Sequence, residues 1–474
     1  MEARRKPPLL VLMTSHWISM LGVALVTLAG CSWLFVLPAH LRGHVDNPYI
    51  GLLIFIAIPI VFVLGLVLIP IGIALAHRRV RAGLALVDDR RTGWRRVAIF
   101  FGVMTMVNVL IGSQLTYRAV AHMETVQFCG QSCHVMQPEF TAHQRAPHQR
   151  VACIGCHVAP GASGWAKSKM AGTRQLAGVV MNNFPRPIES AMESDRLVPS
   201  AETCEECHAR DKFAAPRLRV LTKYKDDEAN TRTETVLTMS IGGGKYGGIH
   251  GVHMGPGVQV RYRAADKKRQ NIPWVEYRNS NTGVTQTYAA GGAANNSLAT
   301  FEMQCVDCHN RPAHAFETPD RAVDGAIATG QIPASLPFIK KMGVELIKGD
   351  YKSGEEAGEK ISAGLATFYR DKYPELYGKR TADIQNAGQA LLAIYKRNVF
   401  PDLKVNWGTY PNNLGHADYP GCFRCHDDSH TTADKKTITQ DCAACHQALA
   451  VEEESPEILK TLGVADKLVS FEKK

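Results

Sequence analysis

The chain has 474 residues, 45% of them apolar, and a formal net charge of +10, a length sufficient for two or three domains. The charge is lopsided: residues 1–97 hold eleven Lys and Arg against four Asp and Glu, which leaves only +3 for everything beyond. That distribution excludes a nucleic-acid-binding surface.

Taken in chain order, the first elements are three apolar stretches at about residues 9–37, 49–76 and 97–120. Each is long enough to cross a bilayer as a helix, which takes about 20 residues. The third carries Asn108 and Gln114 and is expected to pack against the others. Between the second and third lies HRRVRAGLALVDDRRTGWRR, with seven Arg, whereas the loop around 38–48 has a single basic residue, Arg42. Positive charge is retained on the cytoplasmic side, so the N-terminus and the Arg-rich loop are placed there and residues from about 121 onward outside. Leu28-Ala29-Gly30-Cys31 has the form of a lipoprotein processing site. The apolar run continues through SWLFVLP, however, and an uncleaved helix is expected.

Twelve of the 13 cysteines form six close pairs, and each pair is followed at once by His. They are Cys129/Cys133-His134, Cys153/Cys156-His157, Cys204/Cys207-His208, Cys305/Cys308-His309, Cys422/Cys425-His426 and Cys442/Cys445-His446. Two thiols at this spacing each add to one vinyl group of a single porphyrin, and the adjacent His ligates its iron. Zinc ribbons have no use for a His after every pair. With 18 His in the chain, six independent placements have a probability of roughly 3 × 10⁻⁹. The expectation is six covalently attached haem c groups. The first motif has three residues between its cysteines, where the other five have two. Haem c attachment takes place outside the cytoplasm, in agreement with the charge asymmetry. Twelve propionates then make the loaded outer part near neutral or acidic.

The chain is expected to divide into a membrane domain (1–120), a module with haems 1–3 (121–215), a β-rich insert (216–300), a module with haems 4–6 (301–447) and a charged tail helix (448–474). In the first module, GASGWAKSKMAGTRQLAGVVMNNF reads as a helix with apolar and basic faces, suited either to the membrane surface or to packing on haems. In the insert, TETVLTMSI, GVQVRYRA, IPWVEYRN and GVTQTY alternate apolar and polar residues as antiparallel strands do. In the last module, SLPFIKKMGVELIK and TADIQNAGQALLAIYKRN are helical. The fold class is a mainly α, membrane-anchored multihaem cytochrome c with a small antiparallel β insert.

Six irons need second axial ligands. Met136, two residues after His134, offers a thioether to the first iron. The other five are matched to His148, one of His250 and His253, His314, His416 and His430. His122 and His143 are weaker candidates. Which His serves which iron is left open.

From Cys129 onward the chain resembles the NapC/NirT/NrfH family of membrane-anchored quinol dehydrogenases. The likeness rests on a helix running into a first motif followed by x-Met (CHVM), then PEF, then a His shortly before the second motif (APHQRVACIGCH). KSKMAGTRQ, FPRPI, TCEECH, GIHGVHM, IPWVEY, CVDCHNRPAH, PFIKK, NNLGH and GCFRCHDDSH extend it, over nearly the whole outer part, to the longer inner-membrane multihaem cytochromes of metal-reducing bacteria. The resemblance implies a quinol that docks beside the first haem and passes electrons singly to periplasmic or outer-membrane cytochromes, with further subunits an option. It carries the family's Met ligand to Met136 and its quinol-side acid and lysines to Glu139, Lys167 and Lys169. Two departures stand out: three membrane helices where small family members have one, and the wider first motif, which leaves His134 and Met136 both open as proximal ligand. Transfer from the quinol pool outward is the expected function. Reverse transfer from an external donor to quinone, and a terminal reductase of a small oxyanion, are the alternatives.

Overall fold

A computed structural model describes residues 8–41, 56–82, 90–193, 197–209, 215–243, 247–291 and 297–463. The chain forms two compact units, Met1–Ser132 and Cys133–Lys474. The boundary falls inside the first haem motif, between Cys129 and Cys133.

Three helices in the first unit are long and apolar enough to cross a membrane. They are α1 (Trp17–Leu41), α2 (Ile58–Arg81) and α3 (Arg90–Met123). A one-turn helix, Leu9–Met13, precedes α1, so the first apolar stretch is broken where a continuous helix from residue 9 was expected. Hydroxyls cluster at the break: Thr14 Oγ1 adds a bond to the Leu10 carbonyl (3.1 Å), and Ser19 Oγ donates to the Met13 carbonyl (2.6 Å). Beyond that break α1 runs uninterrupted through Cys31. Arg78, Arg79 and Arg81 close α2, where cations complement the C-terminal dipole. Close approach of α1 and α2 depends on small residues: a Cβ on Gly65 would lie 2.8 Å from the Gly22 carbonyl, and one on Gly72 only 2.3 Å from Ser19 N. Outward-facing Ile60, Val63 and Val67 remain exposed, as a lipid-facing surface requires. A short helix, α4 (Val126–Gln131), is capped by Thr125, whose side chain accepts from Phe128 N. The loop around Arg42 and residues 49–55 of the second apolar stretch lie outside the described residues.

The second unit opens with α5 (Gln137–His143) and α6 (Gly161–Val180). Next come strands β1 (Arg217–Tyr224) and β2 (Arg232–Met239), helix α7 (Gly248–Met254), and strands β3 (Val258–Arg263), β4 (Trp274–Asn279), β5 (Val284–Ala290) and β6 (Thr300–Glu302). All four alternating segments form strands here. Helices α8 (Pro319–Ala328), α9 (Ile339–Ile347), α10 (Gly354–Lys372) and α11 (Thr381–Asn398) follow, then β7 (His430–Thr431) and β8 (His446–Glu453). The strands make two antiparallel sheets, ordered β1-β2-β8 and β6-β3-β4-β5-β7.

The residues after 448 differ from the expected charged tail helix. His446–Glu453 is a strand paired to β2, with Ala450 opposite Val236 and both buried. Only Glu457–Thr461 is helical, and residues 464–474 lie outside the described residues. Small apolar side chains facing Val236 favour the ladder over a solvated helix.

The largest core belongs to α8–α11. Ala357, Ile361, Leu365 and Tyr369 recur every four residues on α10, and they meet Ile384, Ala387, Leu391, Ile394 and Tyr395 of α11. Each large side chain so buried contributes about 1.5–3 kcal/mol. The buried Lys340 ammonium in this core is held by Asp324 at 2.8 Å and Asp320 at 3.3 Å, since an unpaired buried cation would be prohibitive.

Candidate haem-ligating histidines

Four of the motifs fold as a single tight turn: Ile154–His157, Cys305–Cys308, Gly421–Arg424 and Cys442–Cys445. One helical turn brings residues i and i+3 to the same side, as two thioether bonds to one ring demand. Gly421 enters its turn at φ +50°, and a Cβ there would collide with the Gly415 carbonyl, so the fifth motif needs glycine at that position.

Five motif histidines each face a second imidazole from elsewhere in the chain. Ring centroids are 6.1 Å apart for His157 and His314, 5.9 Å for His208 and His148, 6.2 Å for His309 and His250, 5.8 Å for His426 and His253, and 6.0 Å for His446 and His416. Two imidazoles bonded to opposite faces of one iron hold their centroids about 6 Å apart. Among the described residues no three His, Cys, Asp or Glu side chains converge on a metal position. Each pair thus offers two axial donors and leaves the equatorial positions to a ligand such as a porphyrin. The residues fit the cofactor that the cysteines predict.

The pairs interlace along the sequence. His148, just before the second motif, faces the third, and His314, after the fourth, faces the second. Helix α7 presents both of its histidines, His250 to the fourth motif and His253 to the fifth, where one of the two was expected to serve. His430 is not brought to a motif histidine. Its Nδ1 meets Asp427 at 2.7 Å and its Nε2 the Ile272 carbonyl at 2.6 Å, so both ring nitrogens are already engaged. His143 lies with its ring 6.1 Å from His314, its Nε2 bonded to the Val151 carbonyl. The ring that His134 meets is Phe184's, edge-on at 6.4 Å, and Met136 sits half-buried in the adjoining turn His134–Met136.

The second ring nitrogen fixes the tautomer of several of these imidazoles. Nδ1 lies 3.1 Å from the Pro312 carbonyl in His148, 2.7 Å from Ile249 O in His253, 2.8 Å from Thr439 O in His426 and 3.0 Å from Glu139 O in His314. A carbonyl only accepts, so Nδ1 carries the proton and Nε2 keeps its lone pair for a metal. Burial pushes His157, His253 and His309 below the ordinary imidazole range and His314 down to about 4, and a neutral ring is what ligation requires.

Thiols of successive motifs lie near enough to affect one another. Burial raises Cys156, and Cys204 and Cys207 add to it. The neighbouring thiols of Cys204 and Cys305 act on each other, which lowers the first and raises the second. Burial pushes Cys308 up to about 11, with Cys422 contributing, and raises Cys445, again with Cys422 beside it. These mutual influences run second to third, third to fourth, fourth to fifth and fifth to sixth.

The three residues carried to the quinol side lie on two different elements, Glu139 on α5 and the lysines on α6. Lys167 and Lys169 lie on α6, Lys169 with its ammonium 5.4 Å from the centre of the Trp165 ring. Glu139 is largely buried beside His314, its Oε2 3.1 Å from Nδ1. Burial pushes its carboxyl up, opposed by the nearby Arg311.

The family described as the NapC/NirT cytochrome c family, N-terminal region, matches residues 92–237. The chain is also 38% identical over 452 residues to the cytochrome c-type protein ImcH of Geobacter sulfurreducens, an alignment that covers 92% of this chain and 89% of that protein. No solved structure matches.

Proposed function

The chain belongs to the NapC/NirT cytochrome c family, and from that premise we propose that it is a hexahaem quinol dehydrogenase that passes electrons from the membrane quinol pool to periplasmic acceptors. Membership makes it a membrane-bound electron-transfer cytochrome with covalent haem c. The observation that carries the finer reading is the set of five imidazole pairs, which supports five low-spin relay sites in addition to the first motif.

In this reading the haems, when bound, supply one-electron carriers. The chain's part is to hold them in order. His314, His148, His250, His253 and His416 serve the second to sixth irons, and the proximity of thiols in successive motifs supports a wire in motif order. The first site, with His134 and Met136, differs from the rest and is the proposed entry point, directly following the membrane unit in the sequence. Lys167 and Lys169 are its candidate quinol-facing cations. Periplasmic or outer-membrane cytochromes are the proposed acceptors. Fully paired imidazoles at five sites favour relay over a terminal reductase, which needs an open coordination position.

The test is to embed the protein in liposomes, add menaquinol and follow the haem spectrum. Rapid haem reduction is expected, slowed by Lys167→Ala or Lys169→Ala. Failure of menaquinol to reduce the haems, alongside rapid reduction by a donor added from outside, would overturn the outward direction and favour the reverse one.

A further inference from the structure

The family resemblance makes Glu139 a quinol-side acid, and the structure sets it beside an imidazole. His314 Nδ1 lies 3.0 Å from the Glu139 carbonyl and 3.1 Å from its Oε2. The Nδ1–H is therefore shared between a neutral acceptor and a carboxyl group of the same residue. Among the described residues, His148, His253 and His426 meet backbone carbonyls at Nδ1. Of these four imidazoles, His314 is the one that also meets a carboxylate. The side chains of His314 and Glu139 are only 22% and 14% exposed, so water does little to screen the interaction.

A carboxylate drawing on Nδ1–H makes the opposite nitrogen a stronger donor, fixes the plane of the ring and stabilises the more positive, oxidised state of a bound metal. We propose that Glu139 is a positioning residue for the iron held between His157 and His314, lowering its potential relative to the sites whose imidazoles bond carbonyls. This rests on the reading of His157 and His314 as one iron's axial pair. On that reading, the second site of the wire is harder to reduce than it would be with backbone carbonyls alone at Nδ1, and an electron leaving the entry site meets a step set by one side chain.

The experiment uses the full-length, haem-loaded protein and three variants, with haem content, electron paramagnetic resonance and a potentiometric titration as readouts. Glu139→Gln keeps the size and an acceptor but removes the charge. It should retain all the haems, alter one low-spin signal and move one haem toward easier reduction, by up to a tenfold change in its oxidised-to-reduced ratio, equivalent to about 59 mV for one electron. A titration and spectrum superimposable on the parent's would overturn the proposal. If Glu139→Gln loads incompletely, Glu139→Met, with similar bulk and only a weak, uncharged acceptor, is scored in the same way. His314→Gly tests the underlying pair separately: it should convert one haem from low to high spin. If every haem stays low-spin in that variant, the axial assignment fails. If one becomes high-spin while Glu139→Gln matches the parent, the pair stands and the role of Glu139 falls.

Discussion

His416 and His430 look alike in the sequence, each within eight residues of the fifth motif, yet the structure gives them opposite surroundings. His416 stacks between Phe423, 4.2 Å away, and His446, 6.0 Å away. His430 is buried with both nitrogens bonded. Replacing His416 with Ala should therefore turn one low-spin haem high-spin with little change in stability. His430→Ala should leave the haem spectrum unchanged and cost about 1–3 kcal/mol from lost buried hydrogen bonds, measured by denaturant unfolding. A high-spin signal in His430→Ala would reverse the assignment. A second residue-scale expectation concerns Glu317. Burial raises its carboxyl, but the Arg397 and Arg145 guanidiniums, 2.9 and 3.0 Å away, outweigh it and hold the group below its ordinary 4.5. A carboxyl depressed in the folded state stabilises the fold above the unfolded value, and that contribution is lost as pH falls through the folded value. Thermal stability should therefore decline below about pH 4.5, and Glu317→Gln should be less stable at neutral pH and flatter across that window.

Between elements, the fourth and fifth motifs are tied by the residues their cysteines enclose. Asp307, inside the fourth, accepts from Gln304 N at 2.7 Å and from Tyr262, and pairs with Arg269 at 3.0 Å. Arg424, inside the fifth, donates to the Asp307 carbonyl at 2.7 Å and to the Arg269 carbonyl at 2.8 Å. Two turns that carry neighbouring cofactors are thus clamped through one buried ion pair. Asp307→Asn strands the Arg269 charge and is expected to cost about 3–5 kcal/mol, seen as a lower midpoint in denaturant. A loss under 1 kcal/mol would show that the pair is dispensable. Little of this was legible beforehand. The cysteine motifs are local and read directly, and α11 follows from its apolar period. Helix α10 has the same period in Ala357, Ile361, Leu365 and Tyr369, but Gly358 and Gly364 mask it. Strand β8 hides between the sixth motif and an acidic run. The partners of the motif histidines are set by tertiary packing across up to 173 residues, from His253 to His426, which no spacing rule encodes. One signal was available: GIHGVHM places two histidines three apart, on one side of a helical turn, suited to two neighbouring irons.

Across the whole molecule, the proposed route from quinol to periplasm requires the haem-bearing unit to lie outside. Arg78, Arg79 and Arg81 end α2, and Arg90, Arg91, Arg95 and Arg96 begin α3, so the chain passes from one span to the next amid seven arginines. Retention of such a cluster in the cytoplasm sends α3 outward. The same direction is demanded by haem c attachment, and the two arguments share no residues. Protease added to right-side-out spheroplasts should therefore remove essentially all haem-staining mass from the full-length protein, leaving a fragment that retains the membrane helices. In inverted vesicles the haem-staining band should survive until detergent is added. The reverse pattern would place the haems on the cytoplasmic side and exclude the periplasmic acceptors, even if menaquinol still reduced the protein. An unchanged pattern after neutralising four of the seven arginines would show that folding of the haem unit, rather than loop charge, fixes the orientation.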